Sequence, residues 1–366
     1  MKLLFVTIGT DVVASSRTRA YQWIPHLNKG GVEVKVVPLA LSSLRNQLRL
    51  DVLAASPRPS VRALHRPVLA VCKLLEALHT SVRLAQVLLL ARSHDAIYLQ
   101  KTLLSRRFMR TLQVRNPRLV YDFDDAIQEV SEDSREILID TLRRCRLVTV
   151  ENAFNAAFVK DSTGLEALRI LGPIDCERYR PSRRETHSPV VLGWVGSSST
   201  VPYLTERAES LLGVLERHPN CELHVIGATR RPIEHSRCLA KPWTLATECN
   251  DLAAFDIGIM PLPDTPFARG KGGYKILQYM ALGIPSVASP VGVNSELIED
   301  GTTGFLASSP EDWSSVLSTL VENAGLRRDL GMKARARAVA SYSFESYAPT
   351  LLGHLEKLTA ASRSRP

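Results

Sequence analysis

The chain lacks most of the devices that redox, zinc and secreted proteins rely on. Its six cysteines (72, 145, 176, 221, 238 and 249) are far apart, with no Cys-x-x-Cys pair. That excludes a zinc ribbon or disulfide framework and fits a reducing cytoplasm. None of the nine histidines falls at a zinc-like spacing. No Gly-x-Gly-x-x-Gly follows the first strand-like run, 3–7, where a dinucleotide fold would carry it, and no serine-hydrolase elbow is present. The run 3–7 is too short for a signal-peptide core and reads as a buried first strand. The longest apolar region, 68–91, is interrupted by Lys73, Glu76 and Arg83. The sequence therefore predicts no segment approaching the roughly 20 apolar residues of a spanning helix. Internal repeats are absent, and only the tail 362–366 has low complexity.

What is present fits a globular protein of two domains. There are 366 residues, 45% hydrophobic and 23% charged. The net charge is +9, and it is unevenly placed. Between Ser42 and Arg118 there are 14 Arg and Lys against three acids, Asp51, Glu76 and Asp95. The remainder is near neutral, so one domain is cationic and the other is not.

Residues 3–7, a polar loop over 9–19, a helical segment over 20–28 and an alternating run over 32–38 form a β-α-β opening. Long helices are expected over 44–92, broken at Ser56-Pro-Arg-Pro59. Short strands follow at 96–99, 119–122 and 147–150. A second β-α series starts at 190, with strands at 190–195, 221–226, 257–260 and 286–288. The expected fold class is α/β, with two Rossmann-like, doubly wound parallel-sheet domains facing a central cleft. The first spans 1–172, with the C-terminal helix of 345–366 packing back on it. The linker is 173–189, and the second domain is 190–344.

The most informative stretch is Arg269-Gly-Lys-Gly-Gly-Tyr-Lys275, between a strand and a helix. Three cations, Arg269, Lys271 and Lys275, flank Gly272 and Gly273 at a helix start. Glycines let the backbone approach a ligand, and free N–H groups at a helix start attract anions. The loop suits a diphosphate; an ordinary βα surface loop with scattered charge is the alternative. The stretch that follows, Gln278-Tyr-Met-Ala-Leu-Gly-Ile-Pro285, resembles the donor-binding signature of family 4 (group 1) retaining glycosyltransferases, which have the GT-B fold. Gly270 stands at the first glutamate of that signature and Gln278 at the second. The resemblance assigns Gln278 to the donor ribose and leaves sugar recognition to residues other than Gly270.

Other positions carry two readings each. Gly196-Ser-Ser-Ser-Thr200 can face a pyrophosphate through Gly196, Ser197 and Ser198, or can simply cap a helix. Arg17 and Arg19, after the first strand, can hold a phosphate on the acceptor side or lie solvated on a turn. Asp122-Phe-Asp124-Asp125 has the spacing of a divalent-metal motif, but the GT-B resemblance assigns no metal here. Asp124 and Asp125 instead line the cleft and orient acceptor or sugar hydroxyls, or cap a helix. Trp243 can stack on the nucleobase or fill core.

The expected function is transfer of a sugar from a nucleoside-diphosphate donor to an acceptor hydroxyl, with retention, in glycan, polysaccharide or glycolipid assembly. Arg269, Lys271, Asp124 and Asp125 carry the chemistry; no cofactor or metal is expected. Partners are the nucleotide sugar, a sugar or lipid-linked acceptor and an anionic membrane surface contacted through 42–118. Nucleic acid is not expected as a partner. The expected location is cytoplasmic, peripheral on the inner face of the plasma membrane. A non-catalytic sugar-nucleotide or membrane-binding relative, or a sugar-nucleotide epimerase of the same fold, is the alternative.

Overall fold

Two six-stranded parallel sheets organise the computed structural model, which describes residues 1–40, 60, 65–181 and 189–360. Each sheet belongs to its own compact unit. The first unit comprises 1–150, 156–168 and 348–366; the second comprises 151–155 and 169–347. The linker expected over 173–189 falls within the second unit, and its residues 182–188 lie outside the described set.

The first sheet runs in the order β2-β1-β3-β4-β5-β6. Its strands are β1 (Lys2–Thr7), β2 (Glu33–Pro38), β3 (Ala96–Gln100), β4 (Leu119–Phe123), β5 (Leu147–Val150) and β6 (Leu168–Arg169). β3 and β4 are buried at every residue, as strands covered by helices on both faces must be. Their apolar runs, with those of β1 and β5, build one core with Val87, Met109, Leu112 and Leu138 from the covering helices.

Two expectations change here. Residues 14–19, read as polar loop, form the helix Ala14–Arg19. The helix His65–Leu90 packs against this unit through Cys72 and Val87 and leaves Val71, Leu74, Leu75, Leu78, Val82 and Leu89 exposed. By length and composition the segment His65–Ser93 is long and apolar enough to cross a membrane, contrary to the expectation that no segment would be. The part of the predicted helical stretch over 44–64, Ser60 excepted, lies outside the described residues.

The second sheet runs β12-β11-β10-β7-β8-β9. Its strands are β7 (Val190–Val195), β8 (Cys221–Ile226), β9 (Cys238–Lys241), β10 (Ile257–Met260), β11 (Ser286–Ala288) and β12 (Gly304–Leu306). Counted from β7, this is the 3-2-1-4-5-6 order of a doubly wound sheet, and it reverses direction between β7 and β10. Connections from those two strands leave toward opposite faces and open a crevice at their carboxyl ends. Into that opening run the turn after β7, starting at Gly196, and the loop after β10, which ends at Gly273. Sequence reading missed β9 and left β12 unassigned as a strand. Both are short strands at the sheet edges, with few apolar residues to set a period.

Candidate active site

The loop after β10 is built in steps. Thr265 caps a short helix, Pro266–Arg269, by accepting from the Ala268 amide at 3.2 Å. The chain then turns through Gly270–Gly273 into the helix Tyr274–Ala281. Gly273, just before that helix, has a φ of 68°, in the left-handed region that favours glycine. The turn is tied down by residues 151–155, which belong to the same unit. Asn152 Nδ2 donates to the Gly270 carbonyl at 2.8 Å, and Asn155 Nδ2 reaches it at 3.4 Å. Glu151, 4% exposed, lays its carboxylate over the open face of Gly272, with Oε2 only 1.3 Å from where a Cβ would stand. Gly272 is therefore glycine because Glu151 occupies the side-chain position.

Two lysines link this loop to the turn after β7. Lys271 Nζ lies 4.8 Å from the Phe267 ring centroid and 5.9 Å from that of Tyr203, on the helix Val201–Thr205 that follows the Gly196 turn. Lys275 Nζ lies 4.6 Å from the centroid of Trp194, two residues before Gly196. Aromatic faces hold ammonium groups without neutralising them. Burial, and then Lys271, push the Lys275 ammonium down to about 7. An anion arriving beside Lys275 would favour its charged form.

Other expected donor-side residues divide. Ser197 caps the short helical turn Ser198–Thr200, with a capping box closed by Thr200, and Ser197 Oγ shares a hydrogen bond with Ser199 at 2.8 Å. Ser197 and Ser198 are exposed. Arg269 is held in a bidentate pair by Asp264, at 2.6 and 2.9 Å. It lines a cavity of about 270 Å³ with Asn152, Gly292 and Glu296. Its charge is thus matched within the loop. Trp243 is partly buried, and its indole N–H donates to Glu248 Oε1 at 2.9 Å. Gln278 is buried, its amide nitrogen donating to Tyr179 Oη at 3.0 Å and Glu248 Oε1 at 3.3 Å.

The first unit corrects the arginine reading. Arg19 is 1% exposed and forms a two-point ion pair with Asp122, its Nε at 3.1 Å from Oδ2. Thr149 Oγ1 also donates to Asp122, at 2.6 Å. Arg19 faces inward because 14–19 is helix rather than loop, so it serves the core and not a phosphate. Arg17, also buried, donates to the carbonyls of Asp11 and Val12 in its own loop. Asp124 and Asp125 share the ammonium of Lys101, which lies just past β3 with a φ of 53°. Burial raises the Asp124 pKa, while Lys101 opposes that shift and Asp125 adds to it. For Lys101, burial alone would lower the pKa, but the two aspartates raise it overall. The Asp122–Asp125 carboxylates are therefore matched by protein cations. Among the described residues no cluster of three or more His, Cys, Asp or Glu could hold a metal ion.

Sequence reading missed Glu151, Asn152, Lys101 and Glu248. Position offered a signal for two of them, since Glu151 and Asn152 directly follow β5, at the carboxyl edge where α/β proteins place functional groups. Lys101 likewise follows β3. Glu248 had no such signal; it starts a helix of five residues.

Comparison with known proteins agrees with this geometry. Residues 189–323 match the family Glycosyl transferases group 1. A 109-residue stretch is 33% identical to D-inositol 3-phosphate glycosyltransferase of Paenarthrobacter aurescens (strain TC1), covering 27% of this chain and about a quarter (26%) of that protein. Spore coat protein SA of Bacillus subtilis (strain 168) is 23% identical over 283 residues, covering 67% of this chain and 72% of that protein. Among solved structures, HepE of Anabaena in complex with UDP and glucose superposes with a TM-score of 0.69 at 16% identity, covering 98% of this chain and all of that one.

Gly272→Ala is expected to destabilise the chain by about 1–3 kcal/mol, because the new methyl must displace Glu151. Adding Glu151→Ala should recover part of that loss in urea denaturation. Strict additivity of the two changes would show that the residues do not touch. Residues 189–323 thus resemble the group 1 glycosyl transferases, and the chain, with its two doubly wound sheets, has the GT-B fold.

Proposed function

We propose that the chain transfers a sugar from a nucleoside diphosphate to an acceptor hydroxyl, with retention and without a metal. The observation that carries the reading is the pairing of Lys271 and Lys275, each held on an aromatic ring, beside the Gly270–Gly273 turn at the β7/β10 switch. In such a transfer the departing diphosphate gains negative charge as the glycosidic bond breaks. On this reading Lys271, Lys275 and the amides of Gly272 and Gly273 meet that charge, and preorganised electrostatics of this kind is commonly the largest catalytic contribution. HepE, which shares the fold, was solved with UDP and glucose, which supports a nucleotide-sugar donor and a sugar acceptor. Metal independence is supported by the donor set: Asp122 is matched by Arg19, and Asp124 and Asp125 by Lys101. Retention rests on the resemblance of the 278–285 stretch to family 4 enzymes.

We also propose that the chain works at an anionic membrane surface from the cytoplasmic side, with a lipid-linked acceptor. The support is the exposed stripe Val71, Leu74, Leu75, Leu78, Val82 and Leu89, flanked by the exposed cations Arg66, Lys73 and Arg92. The opposite face packs on the unit's own core through Cys72 and Val87. A helix held on one side in this way lies on a bilayer rather than spanning it. Double replacement of Leu74 and Leu78 by Ser should lower sedimentation with phosphatidylglycerol vesicles several-fold while leaving Tm nearly unchanged. Equal sedimentation of variant and wild type would remove this surface from the account.

The diphosphate site carries a pH signature. Lys275 is near 7 in the unliganded chain, and a diphosphate favours its charged form. Above pH 7, binding must therefore take up a proton. Affinity for the preferred nucleoside diphosphate is expected to fall as pH rises from about 7.5 to 9.5, by up to about tenfold per unit. Lys275→Arg, charged throughout that range, should flatten the slope. Lys271→Ala should lower both affinity and turnover by about a hundredfold. A flat wild-type profile, or an inert Lys271→Ala, would show that these lysines do not meet the diphosphate.

A further inference from the structure

Gln278 and Trp243 sit 35 positions apart in sequence, yet one carboxylate joins them. Glu248 is 3% exposed. Its Oε1 accepts from the Trp243 indole at 2.9 Å and from the Gln278 amide at 3.3 Å. Its Oε2 accepts from the Tyr179 hydroxyl at 2.7 Å and lies 3.6 Å from the Arg178 guanidinium. Gln278 donates in turn to Tyr179, at 3.0 Å. Burial, with Tyr274 and Glu248 nearby, pushes the Tyr179 phenol far up, so it stays a donor to Glu248. Every contact in this cluster has a donor facing an acceptor only if residue 278 brings an N–H. A second carboxylate at 278 would bring none, and would place two like charges in one buried pocket, where both cannot ionise cheaply.

We propose that Glu248 is a positioning residue of the nucleotide site, fixing Trp243 and Gln278 together, and that residue 278 must be neutral because Glu248 carries the carboxylate. This rests on the reading of 269–278 as the donor site. The network also explains why the chain departs from its resembled signature at this position: the negative charge has moved from 278 to 248, and the donor count is kept. Restoring a glutamate at 278 is therefore harmful unless Glu248 is neutralised at the same time. With the two side chains exchanged, the oxygen at position 248 would still accept from Trp243, its amide nitrogen would donate to the Tyr179 hydroxyl, and Tyr179 would in turn donate to the carboxylate at position 278. The pocket then again holds one carboxylate.

The test compares wild type, Glu248→Gln, Gln278→Glu and the double variant in two readouts. The first is Tm without ligand between pH 5 and 8; the second is affinity for UDP, GDP, ADP and dTDP. Gln278→Glu is expected to lower Tm at neutral pH. The gap should narrow as pH falls, because a carboxyl whose folded pKa is raised regains its proton on acidification. It should also weaken the preferred diphosphate by at least about tenfold, and the double variant should return to within about threefold of wild type. A Gln278→Glu chain that fails to fold while the double variant folds supports the pairing equally. The proposal is overturned if Gln278→Glu matches wild type, if the double variant is no better than Gln278→Glu, or if Glu248→Gln leaves affinity untouched. A wild-type chain that binds none of the four diphosphates would sink the donor-site reading, and the positioning role with it. The Tm series would still decide the charge pairing separately.

Discussion

The reversal of strand order between β7 and β10 is the constraint from which the site follows. Two neighbouring parallel strands send their connections to opposite faces, so no helix covers the gap at their carboxyl ends. The chain fills that gap with the turn Gly196–Thr200, after Val195, and the turn Gly270–Gly273, before Tyr274. The second of these turns is anchored by residues 151–155, through Asn152 on the Gly270 carbonyl and Glu151 over Gly272. The order of the sheet thus sets where the glycines lie, and the glycines set which neighbours can close on them.

Charge at the site is managed by two different means. Arg269 is answered by Asp264 within its own loop, and a solvent-exposed pair of that kind contributes little on its own. Lys271 and Lys275 also lie against the rings of Phe267, Tyr203 and Trp194, contacts that favour a cation. A few residues deeper, Glu248 is surrounded by donors from Trp243, Tyr179 and Gln278.

Much of this was legible in the residues, for identifiable reasons. The buried strands β3, β4 and β7 are continuous apolar runs, so period and length identified them. Gly273 marked the start of the site helix and has a positive φ in the structure, as does Gly283 just past its end. The arginines of 15–19 were misread because a six-residue helix without an acidic first turn or a side-chain cap leaves little trace in sequence. Arg19 looked like a surface group, since its partner Asp122 lies 103 residues away. The same holds for Glu151 over Gly272 and Lys101 between Asp124 and Asp125, where long-range pairing decides the role. The helix His65–Leu90 falls within the helical stretch expected over 44–92, but its exposed apolar stripe is visible only once Cys72 and Val87 show which side faces the core.

Calorimetric titration of the chain with UDP, GDP, ADP and dTDP, each beside its parent nucleoside, tests the diphosphate cradle most directly. On the proposed reading one diphosphate should bind at least about a hundredfold more tightly than its nucleoside, since the two lysines and the turn amides would recognise phosphate and not the base. Equal binding of diphosphate and nucleoside, or no binding of either, would contradict the cradle formed by Lys271, Gly272, Gly273 and Lys275.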